Sequence, residues 1–287
     1  MKQRPAADAD IHTLWPGQSM ALLQELHILT RDGRLNQDSR RKLKQVLHLC
    51  QFIRPLVEAL PGESKEPITI ADHGAGKSYL GFILCDLLFR GRERVARPGK
   101  VFAIETRAEL VQRSNALAQR LGFPEMTCLN ISAAEANASE ALPPVVDVVT
   151  ALHACDTATD DAIAFGLTHQ ARHLVLVPCC QAEVAAQLRQ NKALSLSRTP
   201  LAELWRHPLH TRELGSQITN VLRCLYLEAQ GYQVTVTELV GWEHSLKNEL
   251  ILARHTGQRK RSAAERLGQL LDEFGLQDLA ERRFRLH

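Results

Sequence analysis

Pro67-Ile-Thr-Ile-Ala-Asp-His-Gly-Ala-Gly-Lys-Ser-Tyr-Leu-Gly-Phe-Ile-Leu-Cys-Asp-Leu-Leu88 joins a short β-type run to a glycine turn and then to a helical apolar pattern. Ile68, Ile70 and Ala71 suit a buried strand, while Leu80, Ile83, Leu84, Leu87 and Leu88 recur at helical spacing. Between them Gly74 and Gly76 permit backbone angles, or the approach of a ligand, that a Cβ would block. Such a junction aims a helix N-terminus and its free N–H groups at whatever sits above the sheet.

Three ligand classes use this geometry. A phosphate-binding loop requires Gly-x-x-x-x-Gly-Lys-Ser/Thr; Gly76-Lys77-Ser78 supplies the end of that pattern, but its first glycine falls on Ala71. A dinucleotide fingerprint begun at Gly74 needs a third glycine where Tyr79 stands. What remains is Asp72-His73-Gly74-Ala75-Gly76, an acid two positions before Gly-x-Gly, which resembles the first motif of class I S-adenosylmethionine-dependent methyltransferases. The resemblance implies that the glycine loop wraps the amino-acid end of S-adenosyl-L-methionine, with Asp72 facing its ammonium.

The chain downstream reads as alternating strands and helices. Residues 101–105 form a second strand that ends on Glu105, where a doubly wound sheet faces the ribose of a bound nucleoside; helix dipole alone explains an acid there but not its fit with Asp72 and the glycines. Residues 126–131 form a third strand, followed by Ser132-Ala133-Ala134-Glu135, where the family pattern puts the adenine ring and where an ordinary helix start reads equally well. Residues 145–152 form a fourth strand and lead into His153-Ala154-Cys155-Asp156, an imidazole, a thiol and a carboxylate within four residues. A fifth strand, 173–177, runs into Pro178-Cys179-Cys180-Gln181. Helices are expected at 107–121, 158–167, 181–190, 217–230 and 263–274, with residues 191–215 polar and the Trp205–Pro208 segment a loop. The alternating run 232–240, the connection 241–248 and the strand 249–253 match the closing antiparallel pair of the class I sheet.

The expected fold is therefore α/β, a Rossmann-like seven-stranded sheet at 67–255. It is preceded by a helical extension at 1–66 with helices near 19–29 and from Asp38 or Ser39 to about Val57, and followed by a basic, helical tail at 256–287. Composition bounds the rest. Hydrophobic residues make up 45% of 287, enough for a sizeable core, yet no run approaches the ~20 apolar residues of a membrane span. The N-terminus lacks a signal-peptide pattern, and seven cysteines without Cys-x-x-Cys spacing point to neither a disulfide framework nor a zinc ribbon; a cytoplasmic location and no resident metal are expected. The formal charge of +3 decides nothing about nucleic acid, but residues 31–44 hold six basic and two acidic side chains and residues 90–100 five basic and one. Either stretch could meet phosphates or be an ordinary solvated face.

Asp72-His-Gly-Ala-Gly-Lys-Ser, Leu152-His-Ala-Cys-Asp, Val177-Pro-Cys-Cys-Gln and Glu243-His-Ser-Leu-Lys-Asn together resemble one branch of the superfamily. It comprises the methyltransferase-like 25 group, the methyltransferase domain of the glutathione-S-transferase C-terminal-domain-containing protein, and the transfer-RNA 2′-O-methyltransferase of the Trm-thirteen type. The resemblance covers roughly residues 66–255; Leu246 stands where the branch suggests proline. It implies cofactor contacts from Asp72, His73, Gly74, Ala75, Gly76, Glu105, Ser132, Ala133 and Leu152. Catalysis falls to His153 as base, to Asp156 as orienter or substrate acceptor, and to Cys179 and Cys180. Lys247 and Asn248 either line the acceptor pocket or bridge two strands. RNA is the implied acceptor. A minority alternative takes Cys155 and Cys179/Cys180 as thiolate nucleophiles, as in cytosine C5 methyltransferases acting on RNA. Other readings are a small-molecule or protein acceptor, or a binding protein without turnover; oligomeric state is open.

Overall fold

A computed structural model describes residues 15–35, 37–61, 66–152, 154–179, 181–191, 200–240 and 248–286. Seven strands form one sheet in the order β3-β2-β1-β4-β5-β7-β6. They are β1 Ile68–His73, β2 Gly99–Ile104, β3 Met126–Leu129, β4 Val148–Leu152, β5 His173–Val177, β6 Tyr232–Glu238 and β7 Glu249–His255. The first five are parallel, and β7 runs antiparallel to both β5 and β6. Strand order reverses between β1 and β4, so the crevice above their carboxyl ends is where this kind of sheet binds ligands.

All six side chains of β1 and all five of β5 are buried, as expected for parallel strands covered on both faces. Successive residues of β1 feed two separate cores. Ile68 and Ile70 pack with α1 (Met20–Glu25), α2 (Gln37–Glu58) and α3 (Tyr79–Leu84), the last continuing as a π-helical turn, Cys85–Arg90. Ala71 packs with α6 (Ala158–Thr168) and with α8 (Pro208–Ala229) and α9 (Arg261–Glu273) on the other face. The remaining helices are α4 (Ala108–Leu121), α5 (Ala133–Ala136), α7 (Glu183–Asn191) and α10 (Asp278–Arg282).

The N-terminal helices are bound firmly to the sheet. Leu43, Val46, Leu47, Leu49, Ile53 and Val57 of α2 are buried in the first core, on the apolar stripe the sequence spacing predicts. Ser19 N–H donates to Asp86 at 2.8 Å, and Arg54 donates to the carbonyls of Glu93 and Leu87 at 2.6 and 3.1 Å. The C-terminal stretch likewise contributes Ala263, Leu267, Leu271 and Leu279 to the second core.

Two local expectations are corrected. The first helix ends at Glu25, short of residue 29, because His27 adopts φ 55 and Leu29 then bridges to Leu35. The helix expected at 217–230 begins at Pro208, so Pro208, placed in a loop from sequence, and the rest of the polar stretch through Gly215 are helical. Proline at the first helical turn forfeits no hydrogen bond, and Gly215 lets α8 come within 2.8 Å of the Ala185 backbone, measured from where its Cβ would lie. Within the helical tail expected at 256–287, the helix Asp278–Arg282 follows the one that the spacing predicts.

Candidate functional site

The glycine loop leaves β1 at the strand-order reversal. Gly74 and Gly76 both take left-handed angles, φ +64 and +58. A Cβ at either would meet nothing closer than 3.5 Å, so conformation rather than space demands glycine there. Ser78, also left-handed at φ 55, opens α3, while the exposed Lys77 stands beside it.

Asp72 and His73 end β1 on opposite faces of the sheet. Asp72 is 2% exposed, and among the described residues its side chain's one hydrogen-bond partner is the Thr150 hydroxyl, which donates to Oδ1 at 2.9 Å. Burial without a cation pushes its carboxyl up to about 7, the Thr150 bond offsetting only part of the effect. The His73 ring turns into the second core, 4.4 Å from Phe165, which in turn stacks on His169 at 4.2 Å. Burial, reinforced by His169, lowers it to about 3. The resemblance assigns His73 to the cofactor; its imidazole lies on the wrong face for that, which leaves only its backbone at the loop.

Glu105 follows β2 and grips the glycine loop. Gly76 N–H donates to Oε2 at 2.8 Å, and Arg107 closes a fork with Nε on Oε1 and Nη2 on Oε2, both at 3.0 Å. The Arg107 side chain above all, then the backbone donors, hold the Glu105 carboxyl down at about 2. It is a permanent anion on the rim of the loop. Ser132 caps α5 in a reciprocal box with Glu135, accepting from Glu135 N–H at 3.3 Å, so at the β3 end the helix-start reading is realised.

The ends of β4 and β5 converge. Cys155 and Cys179 approach to 3.2 Å between sulfurs, well beyond the ~2.05 Å of a disulfide. Asp156, in a left-handed conformation at φ 52, reaches across with Oδ1 to accept from Ala182 and Glu183 N–H at 2.9 and 3.2 Å, capping α7. That carboxylate oxygen caps α7 and joins the two loops, in a place where the sequence suggests an orienter or an acceptor of a substrate bond. Below it lies a network that sequence reasoning missed. Arg223, fully buried, forks onto Asp160 at 2.8 and 2.7 Å and donates to Asp156 O at 2.8 Å. An arginine in the otherwise apolar run 222–227 was the available signal. Asn248 binds Val240 through both amide atoms, its Oδ1 accepting from Val240 N–H at 2.7 Å and its Nδ2 donating to Val240 O, so it ties together the segments that follow β6 and precede β7. His153, Cys180 and Lys247 lie outside the described residues. Among the described residues no group of three His, Cys, Asp or Glu side chains converges as a metal site, and no helix is long and apolar enough to cross a membrane.

Two concavities flank the loop. One, about 290 Å³, lies between Asp72, Ala75, Tyr79 and Leu152 and the N-terminal helices. The other, about 310 Å³, is a groove bearing Lys77, Arg113 and Arg120, with Glu25 bonded to Arg120 at 2.5 Å. They share His27 and Tyr79.

This topology, with an acid-glycine loop at the strand-order reversal and an acid at the end of β2, defines a class I methyltransferase. The family described as "Methyltransferase domain" matches residues 41–187, more than half of the chain, and the chain belongs to that family. It is an enzyme dependent on S-adenosyl-L-methionine. No curated protein matches the sequence. Among solved structures, it is similar to a putative O-methyltransferase from Klebsiella pneumoniae (15% identity, 86% of this chain and 94% of that one, TM-score 0.47). It is also similar to magnesium protoporphyrin IX methyltransferase from Synechocystis with bound S-adenosylmethionine (13%, 88% and 100%, 0.45) and to an rRNA methylase from Streptococcus thermophilus (7%, 71% and 94%, 0.41). Likeness at this level bears on neither substrate nor residue roles.

The residues present fit the cofactor. A buried, uncompensated Asp72 suits an ammonium, Glu105 can accept from two ribose hydroxyls once Arg107 moves aside, and the loop between them carries no bulky side chain.

Proposed function

We propose that this methyltransferase modifies RNA. The observation that supports the reading is the groove bearing Lys77, Arg113 and Arg120, which opens beside the Asp72 cavity and shares two lining residues with it. Three cations against one acid, Glu25, suit a phosphodiester backbone running past the reacting centre, since Lys and Arg supply the sequence-independent part of RNA affinity. The motifs at the ends of β4 and β5 add the likeness to the RNA-modifying branch named above.

When bound, S-adenosyl-L-methionine supplies an already activated methyl group on its sulfonium. The protein's work is then positional. Asp72 holds the ammonium, Glu105 the ribose, and the left-handed glycines keep the loop clear between them. The Cys155–Cys179 edge, tied by Asp156 to α7, forms the acceptor side. His153, next to Leu152 in sequence, is the proposed base for the acceptor's proton, imidazole being the side chain whose unperturbed pKa, ~6.5, suits such a task.

The test is transfer of labelled methyl from S-adenosyl-L-methionine into total RNA, read as nuclease-sensitive counts. Label that survives nuclease and falls to protease would assign a protein acceptor, and label in neither polymer would favour a small molecule.

A further inference from the structure

The cavity of about 290 Å³ carries two unlike charges that do not satisfy each other. On its sheet side Asp72 is buried and, among the described residues, its side chain is bonded only to Thr150. On its helical side stand Ser39, Lys42, Gln45 and Val46, spaced by three and four residues, so a single stripe of α2 faces the cavity. Lys42 is exposed, and among the described residues it has no ion pair or hydrogen bond. The other cations near the glycine loop are differently placed: Arg107 is engaged by Glu105, and Lys77, Arg113 and Arg120 line the neighbouring groove.

A ligand that met only Asp72 would need no more than an ammonium. One that meets both walls must carry an ammonium and an anion on a short frame, which is the chemistry of an α-amino acid. The adenosyl cofactor ends in such a group.

We propose that Lys42 binds the α-carboxylate of the cofactor while Asp72 binds its ammonium, so that the N-terminal helix α2 completes the cofactor site. The inference rests on the methyltransferase reading and deepens it. It makes α2 a part of the binding machinery, and it explains why the α1–α2 unit is fastened to the body of the protein by Ser19–Asp86 and Arg54 rather than left as an appendage.

Calorimetry on the full chain at pH 8 separates the possibilities with three probes. S-adenosylhomocysteine carries both charges, decarboxylated S-adenosylhomocysteine keeps the ammonium alone, and 5′-methylthioadenosine has neither. Lys42→Ala is expected to weaken S-adenosylhomocysteine roughly tenfold or more, as loss of a charge-assisted bond does. It should leave the decarboxylated probe within about twofold of wild type, and Lys42→Arg should recover part of the loss. Asp72→Asn should weaken both amine-bearing probes and spare 5′-methylthioadenosine. The inference is overturned if Lys42→Ala binds S-adenosylhomocysteine as wild type does, or loses all three probes equally. Failure of the wild-type chain to bind any probe would instead overturn the cofactor reading itself.

Discussion

Asp72 and His73 are neighbours in sequence, buried on opposite faces of the sheet, and burial displaces their protonation in opposite senses, the acid up to about 7 and the imidazole down to about 3. Both groups resist charging. Between pH ~4 and ~7 the folded state keeps a proton on Asp72 that the unfolded chain has released, so this residue makes stability fall as pH rises. Between pH ~3 and ~6.5 the unfolded chain protonates His73 while the folded state does not, so this residue makes stability rise with pH. The two slopes oppose each other over about pH 4–6.5. Asp72→Asn should remove the first, giving a protein whose denaturation midpoint climbs with pH through that range and exceeds wild type at pH 8. A midpoint curve parallel to that of wild type would refute the assignment.

Cofactor binding should be coupled to the same proton. An ammonium beside Asp72 favours the carboxylate, so binding at pH 6 should release a proton, visible as a calorimetric heat that varies with the ionisation enthalpy of the buffer. The release should shrink towards pH 9 and vanish in Asp72→Asn.

Glu105 is held by the same groups that must yield to a ribose. Arg107 occupies both carboxylate oxygens but is itself largely exposed, so its removal should cost little stability and should leave S-adenosylhomocysteine affinity unchanged or improved. Glu105→Ala should weaken that affinity at least tenfold, because it loses both the ribose acceptor and the anchor on Gly76 N–H. Titrations of the two variants side by side give the comparison.

The Arg223–Asp160 pair is buried and also carries the loop after β4 through Asp156 O. Arg223→Met leaves Asp160 without its partner and should cost about 3–5 kcal/mol in denaturant unfolding, whereas Arg223→Met/Asp160→Leu should cost less. Asp156→Ala should cost about 1–2 kcal/mol through loss of the α7 cap.

Lys77→Ala/Arg113→Ala should weaken RNA binding across sequences and flatten its dependence on salt, with S-adenosylhomocysteine affinity unchanged. Filter binding between about 50 and 200 mM salt measures the slope. An unaltered slope would remove the groove from the RNA path.

The strands were legible because their signals are local. Ile68–Ala71 and His173–Val177 are unbroken apolar runs, and the Asp72–Gly76 turn carries its backbone requirement in its glycines. What escaped depends on contacts between distant residues. Asp156 reads as one of three reactive side chains until the loop after β5 delivers two N–H groups to it. His73 sits in the motif, but strand alternation sends its ring to the face opposite Asp72. Pro208 reads as a loop breaker and instead starts a helix of 22 residues. Asn248 has two readings in the sequence, and its bonds to Val240 become visible only in the fold. The charge of Lys42 was visible within a basic run, but its place opposite Asp72 appears only when α2 is laid against the sheet.

The central claim, methyl transfer to RNA by a site built on Asp72 and Glu105, is tested most directly by mass spectrometry of nucleosides from total RNA of cells with and without the gene. One methylated nucleoside should be missing without it, restored by the wild-type chain and not by Asp72→Asn. An unchanged nucleoside profile would contradict RNA as the acceptor.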